Sequence, residues 1–244
     1  MTRTAICLHS GGFTSRQWRR LAKALAPTHE VLTPDLLGYG TSGAWPDGKP
    51  FHFQEDVDAI VALANGREVD LVGHSYGGFI ACHVARHVRV HRMALYEPVT
   101  FAALDLVKDA DAIASLSAVP DRYTDDPEAW LAGFVNWWNG VGAWQALPDA
   151  TKQDFRAVGW KLSEEVRTLA TDRTDFSTIT APTLVMSGSR SPLAERRTVE
   201  RLVEVMPNAV MKTFDGVGHM APITHQALVD GAIESFFYHH VPRE

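Results

Sequence analysis

Short apolar runs alternate along the chain with stretches whose apolar residues recur at helical spacing. The apolar runs predict six strands, at residues 4–8, 30–33, 69–72, 92–96, 183–187 and 210–214. After the first of them, Trp18, Leu21 and Leu25 recur at i, i+3 and i+7 and so share one face of a helix. Apolar strands separated by amphipathic helices are typical of a parallel sheet covered on both sides, so the pattern predicts an α/β fold.

The alternation stops over residues 99–180. This segment predicts several short helices and holds five of the seven tryptophans. Strand and helix signals resume at residue 181. We therefore expect a core formed by residues 1–98 and 181–244, with residues 99–180 as a helical insertion, all within one continuous unit.

Composition excludes several classes of protein. The chain has 244 residues, of which 45% are hydrophobic and 21% charged, so it is not a disordered chain. Its formal net charge of -6 argues against nucleic acid as the main partner. No secretion signal and no apolar stretch of about 18 residues occurs, so we expect a cytoplasmic protein without membrane contact. Cys7 and Cys82 lie in apolar surroundings without metal-ligand spacing, which predicts free thiols and no metal site.

The strongest chemical signal is the sequence Gly-His-Ser-Tyr-Gly around Ser75, which lies where a predicted strand ends and a helix begins. Small residues at such a junction permit a sharp turn that exposes the serine hydroxyl, and the N-terminus of the helix supplies backbone N–H groups. Ser75 is therefore the candidate nucleophile.

A serine hydroxyl needs an adjacent base to act as a nucleophile at neutral pH. Of the eleven histidines, His219 is the best placed, because it lies in the sequence Gly-Val-Gly-His-Met after the last predicted strand. A loop there can reach over the carboxyl edge of the sheet. Ser75 and His219 together indicate nucleophilic catalysis.

The order of elements and four segments resemble the α/β-hydrolase superfamily over nearly the whole chain. The segments are Leu-His-Ser-Gly-Gly at residues 8–12, the loop at residues 34–42, the Ser75 turn and the His219 loop. The resemblance implies the α/β-hydrolase fold, trimmed to six parallel strands flanked by helices, with residues 99–180 as a helical cap. It also implies an oxyanion hole formed by the backbone N–H of Tyr76 and that of Gly11 or Gly12.

The carboxylate that would orient His219 is harder to assign. Many members of the superfamily carry it after the strand that is residues 183–187 here, but the following Gly-Ser-Arg-Ser-Pro holds no acid. A smaller set, which includes some haloalkane dehalogenases and a fungal lactone hydrolase, carries it after the strand that follows the nucleophile helix. Glu97 occupies that position, and we expect it to be the acid. Asp215, four residues before His219, is the alternative.

The cap that the resemblance implies would roof the site and supply most substrate contacts. Its many tryptophans favour an apolar or aromatic substrate over a sugar or a highly charged one. The candidate pocket walls lie beside the proposed catalytic residues or in the cap, and they are Phe13, Val99, Phe101, Trp137, Trp138 and Met220. For each of these residues, simple packing is the alternative role.

These observations predict a cofactor-independent serine hydrolase that cleaves a small apolar or aromatic ester or lactone through an acyl-enzyme. An amidase or a carbon–carbon bond hydrolase would use the same three residues. A member of another class, a non-catalytic small-molecule binding module on this fold, is also compatible with the sequence. A homodimer is compatible with it as well, and no motif identifies the substrate.

Overall fold

The computed structural model describes residues 2–118 and 123–238. Within them, six parallel strands form one sheet in the order β2-β1-β3-β4-β5-β6. The strands are β1 (Arg3–Leu8), β2 (His29–Leu32), β3 (Val69–His74), β4 (Val90–Tyr96), β5 (Thr183–Gly188) and β6 (Ala209–Phe214). All six correspond to strands predicted from the apolar runs, so the prediction of a six-stranded parallel sheet is confirmed.

Helices connect the strands and cover both faces of the sheet. In chain order they are α1 (Arg19–Leu25), α2 (Gln54–Ala64), α3 (Tyr76–Val84), α4 (Ala110–Ser115), α5 (Pro127–Asn139), α6 (Ala143–Ala146), α7 (Asp149–Thr171), α8 (Leu193–Val205), α9 (Ala221–Thr224) and α10 (Gln226–Tyr238). Short 3₁₀ helices lie at Ser15–Trp18, Gly40–Ser42, Phe101–Ala103, Leu116–Ala118 and Phe176–Thr178. No helix among the described residues is long and apolar enough to cross a membrane.

Each face of the sheet has its own apolar core, because successive side chains of a strand point to opposite faces. In β1, Ile6 and Leu8 pack with side chains of α2, α3 and α8. Ala5 and Cys7 pack on the other face with side chains of α1 and α10. Cys7 and Cys82 are both buried free thiols, as predicted.

The helices α4 to α7 lie between β4 and β5 in the chain and add no strand to the sheet. Side chains of α5, α6 and α7 form a third apolar cluster, which includes Trp130, Trp144 and Phe155. Trp160, in contrast, is 39% exposed on α7. The insertion contacts the core where α4 and the 3₁₀ helix at residues 101–103 pack against α8.

The topology brings three chemically interesting residues to one edge of the sheet. Ser75 follows β3, Glu97 follows β4, and His219 lies in the loop between β6 and α9. Since the strands are parallel, these positions all lie at the carboxyl edge, where open α/β sheets hold their ligands.

Candidate active site

Ser75 lies in a sharp turn between β3 and α3. Its backbone has φ 56° and ψ -124°, a conformation that costs a residue with a side chain on the order of 1–3 kcal/mol. The turn is held by two backbone bonds, since the N–H of Ser75 donates to the carbonyl of Tyr96 at 3.0 Å and its own carbonyl accepts from Phe79 at 3.0 Å. The serine is therefore fixed at the start of α3 despite the strain.

Gly77 allows α3 to lie directly against β1. A Cβ atom at this position would lie 2.4 Å from the carbonyl oxygens of both Leu8 and His9. These are backbone atoms, so a side chain at residue 77 would have to push the helix away from the strand.

We expect Gly77→Ala to lower the free energy of unfolding by about 2–3 kcal/mol, because overpacking against backbone cannot be relieved by a rotamer change. Urea denaturation measures the change. Gly231→Ala is the matched control, since a Cβ at this position on α10 meets nothing within 4 Å; it should stabilise the protein by about 0.5–1 kcal/mol. Equal effects of the two substitutions would show that the Ser75 turn is not tightly packed.

His219 is hydrogen-bonded to Glu97. The distance from Nδ1 of His219 to Oε2 of Glu97 is 2.7 Å, and both side chains are buried. A carboxylate at Nδ1 makes this nitrogen the N–H donor and leaves Nε2 as the basic nitrogen of the ring. The structure therefore brings together the histidine and the carboxylate expected from the sequence.

The other carboxyl oxygen of Glu97 is held by three donors. Its Oε1 accepts from the hydroxyl of Ser187 at 3.0 Å, the backbone N–H of Gly188 at 2.8 Å and the hydroxyl of Ser191 at 2.5 Å. Ser187 to Ser191 is the segment in which many members of the superfamily carry the acid. Here the segment holds, through these three hydrogen bonds, the carboxyl group of a residue that follows the neighbouring strand.

A second buried glutamate, which the sequence reasoning missed, lies near the first. Glu195 of α8 accepts a hydrogen bond from the backbone N–H of Val99 at 3.3 Å. Burial, and then the charge of Glu97, raise the pKa of Glu195 well above its ordinary value. Burial therefore favours the protonated form of Glu195. A lone glutamate in the first turn of a helix carries no local signal for such a role.

Two side chains hold the loop of His219 in place. Nε2 of His74 lies 2.9 Å from the carbonyl oxygen of His219, and the hydroxyl of Tyr96 donates to the carbonyl of Gly218 at 2.9 Å. Burial lowers the pKa of His74 well below its ordinary value. His74 therefore stays neutral and does not compete with His219 for a proton.

Gly11 and Tyr76, two of the predicted oxyanion-hole residues, lie side by side. A Cβ on Gly11 would lie 3.6 Å from the Cβ of Tyr76. Tyr76 is the first residue of α3, where backbone N–H groups have no acceptor within the helix. Gly12 turns away toward Phe155, since its own Cβ position lies 2.6 Å from that ring. The arrangement favours Gly11 over Gly12 as the second donor.

A cavity of about 380 Å³ lies beside Ser75 and His219. Over it, the indole of Trp138 stacks on the imidazole of His219 with ring centroids 3.7 Å apart. Its other walls come from both the core and the insertion, and most are apolar: Phe13, Phe134, Val135, Leu147, Phe155, Met220 and Ile223. Of the predicted pocket residues, Phe13, Trp138 and Met220 therefore lie at this cavity.

The remaining predicted pocket residues, Val99, Phe101 and Trp137, do not line this cavity of about 380 Å³. Val99 borders a smaller cavity of about 30 Å³ that also touches Ser75. Phe101 and Trp137 line a pocket of about 200 Å³, whose walls do not include Ser75 or His219. Trp137 also borders a pocket of about 550 Å³ that includes His219 and Met220 but not Ser75. The indole N–H of Trp137 donates to the carbonyl of Ser115 at 3.0 Å, so this ring is directed into the insertion while Trp138 faces the histidine.

Asp215, the alternative acid, lies at the exposed surface. Its carboxylate accepts from the hydroxyl of Ser189 at 3.0 Å, and the same hydroxyl accepts from the backbone N–H of Gly216 at 2.9 Å. Asp215 therefore stabilises its own turn, while Glu97 occupies Nδ1 of His219.

Comparison with known proteins places this geometry in context. The model of the family described as "Alpha/beta hydrolase family" matches residues 5–231. The chain is 29% identical to lipase LipV of Mycobacterium tuberculosis, over 94% of this chain and 91% of that protein. It is 26% identical to 2-hydroxymuconate semialdehyde hydrolase of Pseudomonas putida, over 93% of this chain and 80% of that protein.

Solved structures give the same picture of the fold. A protein described as an N-acyl homoserine lactone degrading enzyme superposes with a TM-score of 0.71 at 18% identity, covering 97% of this chain and 93% of that one. At this identity the likeness concerns the fold alone.

Proposed function

Because the chain belongs to the alpha/beta hydrolase family, we propose that it is a cofactor-independent serine hydrolase that cleaves a carboxylic ester or lactone. The observation that carries the proposal is the 2.7 Å hydrogen bond from His219 to Glu97, made beside a cavity that Ser75 also lines. This bond fixes the tautomer in which Nε2 accepts the serine proton.

In the proposed reaction, Oγ of Ser75 attacks the substrate carbonyl while Nε2 of His219 takes the hydroxyl proton. The N–H groups of Tyr76 and Gly11 stabilise the oxyanion. The bond from the carbonyl carbon to the leaving oxygen then breaks, and His219 gives its proton to the alcohol. Water, deprotonated by His219, then attacks the acyl carbon. The bond from this carbon to Oγ of Ser75 breaks, and His219 returns the proton to Oγ, so that the acid leaves and Ser75 is restored. Glu97 remains ionised and balances the positive imidazolium in both halves.

We propose that residues 99–180 act as the cap that selects the substrate. Phe134 and Trp138 of α5 and Phe155 of α7 line the cavity beside Ser75. These aromatic walls favour an apolar or aromatic acyl or alcohol group.

Carbon–carbon bond hydrolysis is the second candidate, because one relative is a 2-hydroxymuconate semialdehyde hydrolase. That substrate carries a carboxylate. None of the described residues that line the Ser75 cavity is a lysine or an arginine. A neutral ester or lactone therefore fits this cavity better than an anion does.

The proposal is tested by treating the native protein with a fluorophosphonate and measuring its intact mass and peptide map. We expect one adduct per chain, located on Ser75, and no adduct on protein unfolded in urea, because only the folded site activates the serine. A panel of aryl esters and lactones, with 2-hydroxymuconate semialdehyde beside them, then identifies the bond that is cleaved. An unlabelled native protein that binds esters without turnover would favour the binding module.

A further inference from the structure

A buried polar cluster lies between α7 and the core, beside the Ser75 turn. Nζ of Lys161 lies 3.3 Å from Oδ2 of Asp56 and 2.5 Å from Oε1 of Glu165. The hydroxyl of Tyr39 donates to Oε1 of Glu165 at 2.9 Å, and that of Tyr76 donates to Oδ2 of Asp56 at 2.9 Å. All five side chains are buried.

The cluster holds two carboxyl groups and one ammonium group. The ammonium of Lys161 also lies over the rings of Tyr39 and Tyr76, 4.3 and 4.9 Å from their centroids. Burial, opposed by the charge of Lys161, raises the pKa of Glu165 to about 7. Near neutral pH, this carboxyl group is therefore present in both its protonated and its ionised form.

One carboxyl oxygen of the cluster forms no hydrogen bond within it. Oε2 of Glu165 has no hydrogen-bond partner among the described residues, although Glu165 is 1% exposed. A Cβ on Gly11 would lie 2.5 Å from this oxygen, so the carboxyl group fills the space that a side chain on Gly11 would need. Glu165 also lines the cavity of about 30 Å³ that touches Ser75 and Val99. A buried polar atom without a partner is unfavourable, and a ligand group in this cavity would supply one.

We propose that Oε2 of Glu165 binds a hydroxyl group on the acyl part of the substrate, so that the preferred substrates are esters or lactones of hydroxy acids. A hydroxyl both donates and accepts, so it pairs with either form of the carboxyl group. The cavity has room for one or two water-sized groups, which suits a small substituent. Because the carboxyl group lies against Gly11 of the oxyanion hole, the hydroxyl belongs on the first or second carbon from the carbonyl. This inference rests on the proposed function.

The test compares aryl esters of matched acids: 2-hydroxypropanoic with 2-methylpropanoic acid, and 3-hydroxybutanoic with 3-methylbutanoic acid. Within each pair the acyl groups differ only by a hydroxyl in place of a methyl. For the native protein we expect kcat/KM to be about 10–100-fold higher for the hydroxylated ester of at least one pair. The ratio within a pair does not depend on the fraction of folded protein.

Variants of α7 test whether Glu165 is responsible for the ratio of kcat/KM values within a pair. Glu165→Leu should bring it close to one, while Glu165→Gln, whose amide still forms hydrogen bonds, should retain part of it. The matched control is Glu164→Gln, because Glu164 is the neighbouring residue and pairs with Arg167 at the surface; it should leave the ratio unchanged.

Each outcome is decisive. Fluorophosphonate labelling of Ser75 with a ratio near one in both native pairs would overturn the hydroxyl site and leave the proposed function intact. A native ratio that Glu165→Leu does not alter would overturn it too, because the preference would then arise elsewhere. A native protein that is neither labelled nor active on any ester would overturn the proposed function and the hydroxyl site together.

Discussion

The Ser75→Ala variant is expected to hydrolyse esters with a kcat about 10⁶-fold below that of the native protein. Alanine removes the atom that forms the acyl-enzyme, and neither His219 nor Glu97 can replace it as the nucleophile. The measurement is ester hydrolysis at saturating substrate, together with the fluorophosphonate mass, which should show no adduct. Ser10→Ala is the control, since Ser10 lines the same cavity but donates to the carbonyl of Gly11 at 3.3 Å. It should stay within about tenfold of the native kcat, because its loss removes one neutral hydrogen bond.

Because the backbone of residue 75 has a positive φ, substitutions there are expected to change activity and the free energy of unfolding differently. Alanine at φ 56° is as strained as serine, so Ser75→Ala should keep the native free energy of unfolding. Ser75→Gly should be equally inactive but more stable by about 1 kcal/mol, because glycine adopts this conformation freely. Urea denaturation of the three proteins measures the difference. Residual labelling or turnover in Ser75→Ala, in preparations free of other esterases, would assign the chemistry to another residue.

The fold was predictable because its signals are local. Each strand is an apolar run of a few residues, and a one-residue error at an edge does not change the order of the elements. The position of Glu97 was also predictable, because the residues that follow parallel strands lie at the same edge of the sheet. The assignment of Ser75, His219 and Glu97 as catalytic residues stays a prediction. The hydrogen bond between His219 and Glu97 supports it.

Residues whose contacts depend on tertiary packing have no comparable signal in the sequence. Tyr39 and Glu165 are 126 positions apart, and Asp56 and Lys161 are 105 positions apart, so no spacing rule connects them. Adjacent tryptophans on α5 point in different directions, and only the packing of the insertion determines that Trp138 rather than Trp137 stacks on His219. The proposed substrate contacts are nonlocal in this way, which is why the sequence predicted a reaction class more readily than a substrate.

Glu97→Gln is expected to lower kcat by about 10³–10⁴-fold, the loss that follows when the acid of a triad is replaced by its amide. The surroundings of Glu97 determine which way the amide must lie. Three donors converge on the position of Oε1, and one of them, the backbone N–H of Gly188, cannot rotate. The amide oxygen must therefore occupy this position.

The amide nitrogen then lies at the position of Oε2, 2.7 Å from Nδ1 of His219. It can only donate there, so Nδ1 must be the unprotonated nitrogen and Nε2 carries the hydrogen. A protonated Nε2 cannot accept the proton of Ser75. The variant should keep its fold, because glutamine preserves the volume and the bonds at Oε1, but its base is held in the wrong tautomer.

Asp215→Asn is the matched control, since it makes the same chemical change in the alternative acid. Asp215 is exposed and bonded to Ser189, so we expect kcat within about twofold of the native value. Measurements of ester hydrolysis and of the fluorophosphonate labelling rate, with thermal denaturation to confirm folding, compare the two variants. If Asp215→Asn were slow and Glu97→Gln fast, the acid would be Asp215. If Glu97→Gln alone is slow while its thermal unfolding is unchanged, the lost activity comes from the changed tautomer of His219. Glu97 would then act by holding the tautomer in which Nε2 is the base, as the hydrogen bonds around Glu97 favour.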